Sequence, residues 1–204
     1  MSERDFFSEV ARKGVTDAVV DIERQTAGEI VVVVRRTSGT FREVDLAAGA
    51  ALAFAALLVL LFDPWPVAVA AIPVDVALAF AAGAALSASV GPLKRALLGP
   101  RRAGAQVRAR AREAFVEQGV SRTRGRTGIL VYVSTFERRV ELVPDTAVDP
   151  QLVEGPGRAM GEAVRRADLP AFLAALRALG PSLGAALPRS ADDVNELPDA
   201  PVMS

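Results

Sequence analysis

An apolar tract runs from Leu46 to Leu93, broken only by "DPWP" at residues 63 to 66 and by a single further charge, Asp75. Leu46 to Phe62 is seventeen residues without a charge, close to the number, about 20, that crosses about 30 Å of hydrocarbon. The second tract reads best as Val74 to Leu93, of which the last eighteen residues are uncharged. That start puts Pro73 and Asp75 in the first helical turn, where proline's missing N–H is harmless and a carboxylate meets the positive end of the helix dipole. An earlier start would carry Asp75 toward the bilayer centre, at about 2.5–3.5 kcal/mol. The tract therefore predicts a two-helix transmembrane hairpin over 44–93, with spans at 45–62 and 74–93 and DPWP as the turn. Trp65 suits the aromatic belt at that interface. Small residues recur every fourth position, as Ala47, Ala51 and Ala55 and then as Ala79, Gly83, Ser87 and Gly91, which predicts two helices in close approach.

Flanking charge sets the sidedness. Arg35, Arg36 and Arg42 precede the hairpin and Lys94, Arg95, Arg101 and Arg102 follow it, whereas 63–73 has no basic residue. By the positive-inside rule both flanks, and so both termini, are cytoplasmic and the DPWP turn is outside. The opening "MSERDFFSEV" is charged and amphipathic without an apolar h-region, so a cleaved secretory signal is not expected. The expected location is the inner membrane of the cell, with two spans.

The flanks read as one soluble domain split by the hairpin, with 1–43 and 94–187 as its two parts. Phe7, Ala11, Val15, Val19 and Ile22 recur at helical spacing within 3–26. "EIVVVV" (29–34) is too short for a buried helix and too uniform for a half-exposed strand, and reads as a central strand. "TGILVYVS" (127–134) is its parallel partner, and "RRVELVPD" (138–145) the antiparallel return. A helix at 103–119 with Val107, Ala111 and Phe115 joins the two central strands as a crossover. Further helices are expected at 157–167 and 169–187, the latter capped by Asp168 and buried through Phe172, Leu176, Leu179 and Leu183. The segment 188–204, "PRSADDVNELPDAPVMS", is acidic and proline-bearing, and reads as a disordered tail. The fold class is α/β, a small mixed sheet with a βαβ crossover and flanking helices.

Three stretches, "GEIVVVV", "FVEQGVSRTRGRTGILVYVSTFERRVELVPD" and "DDVNELPD", resemble the bacterial membrane-anchored branch of the TPM-domain family. The resemblance implies an α/β sandwich and, in related members, carboxylate-bound calcium or a weak acid phosphatase activity. The chain departs from the family pattern after Asp145, where Thr146 and Ala147 replace the usual glycine, and in the next helix, which lacks the family's tryptophan.

Absence of Cys and His removes disulfides, thiol nucleophiles, Ser-His triads and imidazole or thiolate metal sites. Acid-base or metal chemistry must then rest on carboxylates, with Ca2+ or another hard divalent cation as the ion. Glu29 starts the first strand, Asp145 ends the third and Asp149 follows on the next loop, so these three are the candidate metal ligands, with Thr127 at the same end of the sheet. The opposite end carries Arg35, Arg36, Arg138 and Arg139, which with Lys94 and Arg95 form a candidate contact with anionic lipid headgroups. Ten Arg or Lys fall in 91–126. Without interleaved aromatics for base stacking they suit lipid rather than nucleic acid. The expected function is a non-enzymatic, membrane-anchored module at the cytoplasmic face that binds a protein partner or a regulatory ion. The alternative is a metal-assisted phosphatase.

Overall fold

The computed structural model describes residues 3–62, 68–189 and 194–204, so DPWP and Trp65 lie outside the described residues. In chain order the elements are α1 (Glu9–Glu23), β1 (Glu29–Arg35), α2 (Arg42–Phe62), α3 (Ile72–Ser89), α4 (Gly91–Leu98), α5 (Pro100–Glu117), β2 (Gly128–Ser134), β3 (Arg139–Pro144), α6 (Gln151–Arg166), α7 (Leu169–Arg177), α8 (Leu179–Gly184) and β4 (Val202–Met203), with short 3-10 turns at Glu3–Phe7 and Val120–Arg122. They form two compact units: Met1–Ser38 with Gly104–Ser204, and Gly39–Ala103.

The first unit is a mixed α/β fold around a four-stranded sheet of order β3-β2-β1-β4. β1 and β2 pair in parallel from Glu29↔Gly128 to Arg35↔Ser134, and β3 returns antiparallel, as the run of β-branched residues anticipates. Side chains alternate across the sheet. Ile30, Val32, Val34, Ile129, Val131 and Val133 share one core with α1, α6, α7 and α8, while Val31, Val33, Leu130 and Tyr132 share another with Val107, Ala111 and Ala114 of α5. β1 and β2 are thus buried on both faces, which explains their uniform hydrophobicity.

Caps fix the helix starts. Ser8 Oγ accepts from Ala11 N at 3.1 Å, and Asp168 Oδ1 accepts from Ala171 N at 3.0 Å with Pro170 in the first turn. Phe172, Leu176, Leu179 and Leu183 are all buried, as their spacing predicts, and Phe172 meets Phe6 edge-on at a centroid distance of 5.6 Å. Where one helix was expected over 169–187 there are two, divided at Ala178 shortly before Pro181. α6 begins at Gln151, earlier than expected.

The reading of 188–204 as a disordered tail is corrected by its described residues. Val202 and Met203 pair in parallel with Val33 and Val34, and main-chain bonds continue through Ser204 N to Val34 O and Arg36 N to Ser204 O, both 3.0 Å. An open edge on a central strand is a standing invitation to pairing, and this short apolar segment covers it despite acidic surroundings.

The second unit is built on α2 and α3. Both are long and apolar enough to cross a membrane, and 11% of each apolar window is buried. Leu52, Phe54, Val59, Leu61 and Phe62 of α2 and Leu78 and Leu86 of α3 are exposed. The two helices touch where Gly49 meets Gly83: a Cβ on Gly49 would lie 2.8 Å from Phe80 O, and one on Gly83 2.8 Å from Ala48 O. Gly83 and Ser87 of the expected stripe lie in this contact, but Ala47, Ala51 and Ala55 face outward, because Gly49 and not Ala47 sets the helix phase. The second apolar helix ends at Ser89 rather than at Leu93. Val90 adopts φ −104° and ψ 90° ahead of Gly91-Pro92, and α4 starts anew.

Candidate functional site

Glu29, Gly128 and Asp145 stand in one row across the sheet: Glu29 pairs with Gly128, and Asp145 N donates to Gly128 O at 2.8 Å. Strand alternation points both carboxylates to the α5 side. They do not converge. Gly128 lies between them, and Val120 sits directly over it, its carbonyl oxygen 2.4 Å from where a Cβ would be. Asp145 is buried; one oxygen accepts from Thr146 N at 2.7 Å, and Oδ2 has no hydrogen-bond donor, only Arg126 Nη1 at 3.6 Å. Asp149 is exposed and accepts from Gln151 N at 2.9 Å, at the start of α6. Thr127 Oγ1 donates to Ala27 O at 2.8 Å. Among the described residues no group of three or more carboxylates is arranged to hold a metal ion.

Glu29 is instead joined to residues that the sequence does not single out. A cavity of about 200 Å³ is lined by Glu23, Glu29, Arg189, Asn195 and Asp199. Glu23 comes from the last turn of α1 and accepts from Ile30 N at 3.0 Å. Glu29 accepts from Leu197 N at 3.2 Å, Asn195 Nδ2 donates to Asp199 Oδ1 at 2.6 Å, and Arg189 Nη1 donates to Glu23 O at 3.0 Å. The segment "DDVNELPD" thus packs its second half against the start of β1, and Asn195 and Asp199 were the signal within it.

Burial pushes the Glu23 carboxyl up to about 8, opposed by its bond from Ile30 N and reinforced by the neighbouring charges of Glu29 and Asp199. Glu23 therefore carries a proton at neutral pH. Since the folded state holds this proton over a range where the unfolded chain has lost it, stability is fully present below the unfolded value of 4.5 and is lost as pH rises through about 8. The slope is about 1.4 kcal/mol per pH unit for one such group. Glu23→Gln is expected to flatten this fall, which denaturant titrations across that window would read. An unchanged slope would show that Glu23 ionises normally.

At the opposite end of the sheet, Arg35 donates to Ser204 Oγ, and Arg36 stacks over the Phe7 ring with its guanidinium carbon 5.4 Å from the centroid. Arg138, at φ 53°, is exposed in the β2–β3 turn beside Arg139. The buried Glu137 binds this turn to the start of the hairpin link, accepting from Ser38 N at 2.9 Å and Thr37 Oγ1 at 3.2 Å, with Ser134 Oγ on its other oxygen. In the second unit Lys94 is engaged, its Nζ 2.8 Å from Asp45 Oδ2, while Ser87 Oγ donates to Asp45 Oδ1 at 2.8 Å. Arg95 is half-buried.

No family model and no curated protein matches the chain. A solved structure does, the NMR structure of the BA42 protein from the psychrophilic bacterium Bizionia argentinensis, which covers 97% of this chain and 94% of its own at a TM-score of 0.57 and 15% sequence identity. The likeness is one of fold. It places the mixed α/β arrangement among known architectures, and the chemistry of the site rests on the residues described above.

Proposed function

We propose that the chain is a membrane-anchored, non-enzymatic module of TPM-like fold, held by the α2–α3 hairpin at the inner membrane with both termini cytoplasmic, and that its soluble unit binds a protein partner or a regulatory ion there. One observation carries the anchoring: two apolar helices of spanning length leave their large side chains exposed. A core helix of a soluble protein buries such residues, and lipid is the solvent that suits them. The basic end of the sheet, with Arg35, Arg36, Arg138 and Arg139, turns toward anionic headgroups, each cation near such a surface contributing about 1 kcal/mol. The phosphatase alternative needs convergent carboxylates for its metal, and the described residues do not bring Glu29, Asp145 and Asp149 together.

Compartment reporters fused at residue 2 and residue 204 are expected to read cytoplasmic, and one inserted beside Trp65 to read outside. Reporters at the two termini on opposite sides, or a chain that stays in the soluble fraction, would overturn the hairpin.

A further inference from the structure

We propose that the outer edge of β3, with the groove between it and α6, docks an extended peptide of a partner protein whose residues alternate apolar and acidic. β3 is the last strand of its side of the sheet, and among the described residues no strand covers its outer edge. Asp145 N bonds inward to Gly128 O, so by antiparallel alternation Val143, Glu141 and Arg139 also turn their main-chain groups to β2. Val140 and Leu142 turn theirs outward, ready to pair with an added strand.

The two faces beside that edge differ in chemistry, and this specifies the occupant. On the α6 side lies a groove of about 370 Å³ between Val140, Leu142 and Val153, with Gly157 and Gly161 in the helix wall and the charged side chains of Glu154, Arg158 and Arg165 also lining it. A Cβ at Gly157 would already touch Leu142 at 3.2 Å, whereas at Gly161 it would meet nothing nearer than Arg165 Nη1 at 3.7 Å. The wall is therefore cut low at Gly161, leaving room for an aliphatic side chain from an incoming strand. On the α5 side positive charge gathers. A Cβ on Gly104 would lie 3.4 Å from guanidinium nitrogens of both Arg108 and Arg139, and Arg108, Arg112 and Arg139 all act on Glu141. Side chains of an added strand on that face meet these guanidinium groups beside Glu141, so acidic residues complement them.

The choice of a peptide over a second copy rests on charge. Antiparallel pairing of β3 with itself would lay the same face of two sheets side by side and bring a second set of Arg108, Arg112 and Arg139 to a face that already carries one, whereas acidic residues of a peptide oppose these cations.

The test uses the full chain in lipid nanodiscs and a fluorescent, end-capped hexapeptide alternating valine and glutamate, read by anisotropy. Saturable binding is expected, weakened about tenfold or more when alternate peptide amides are N-methylated, since those amides are the ladder donors. Gly161→Leu, which raises helix propensity while filling the groove, and Arg112→Glu with Arg139→Glu, which leave the groove open, are each expected to weaken it comparably. A peptide with lysine for glutamate is expected not to bind. Absence of saturable binding, or binding indifferent to both N-methylation and Gly161→Leu, overturns the proposal. So does concentration-dependent pairing of the chain abolished by Gly161→Leu, which would make a second copy the occupant. The compartment reporters fail or succeed separately from these outcomes.

Discussion

Gly128→Ala is expected to lower the stability of the soluble unit by about 3 kcal/mol, the upper range for forcing an extra carbon into a packed interior. The added Cβ would sit 2.4 Å from Val120 O and 2.7 Å from Val120 Cγ1. The first of these is backbone, so pairing the change with Val120→Ala would not restore stability. Relief would require the Val120–Arg122 turn to lift off the sheet, uncovering the row in which Glu29 and Asp145 stand. Gly28→Ala serves as the control: its Cβ would come no nearer than 3.4 Å, to Thr26 Oγ1, and a shift within about 0.5 kcal/mol is expected. Urea titrations followed by circular dichroism compare the two, and equal midpoints for Gly128→Ala and the parent chain would mean that the Val120 turn yields freely.

The second large effect is expected in the hairpin unit. Asp45→Leu leaves Lys94 without its partner and removes the acceptor of the Ser87 hydroxyl, so the unit is expected to lose stability, because an ion pair broken from one side leaves a charge uncompensated. Asp45→Leu combined with Lys94→Leu is expected to recover most of it, because no uncompensated charge remains. The chain's single tryptophan, Trp65, belongs to this unit's sequence, and its fluorescence during denaturation in micelles gives the readout. A double variant no more stable than the single one would assign the loss to the Ser87–Asp45 bond instead.

What could be read in advance follows from range. The β-branched runs at 29–34 and 127–134 state their burial residue by residue, and the chain order of two parallel strands and an antiparallel return leaves one simple pairing, which β1, β2 and β3 adopt. Asp168 capping a helix through Ala171 N is equally local. The pocket was not legible, because Glu23 and Asp199 meet only through the fold: one ends a helix, the other lies 176 residues later in a segment whose charge suggests solvent. β4 has two residues, too few for any periodicity, and forms because β1 offers it an edge. The alanine stripe of α2 misled because alanine abounds there, and the true contact was marked by the one residue without a side chain, Gly49. Lys94 looked like a surface cation; only the return of α4 beside the start of α2 pairs it with Asp45.

The position of β1 has a consequence for how the protein is made. Both of its neighbours, β2 and β4, follow the hairpin in the chain. The ribosome therefore delivers β1, with its buried run Ile30 to Val34, first and its last partner at residues 202–203. At about 5–20 residues per second the wait is on the order of ten seconds or longer, during which "EIVVVV" has neither edge satisfied. Synthesis of residues 202–203, not emergence of the first half, is then the step that completes the sheet, and a chain cut short of Val202 would keep a bare edge on β1.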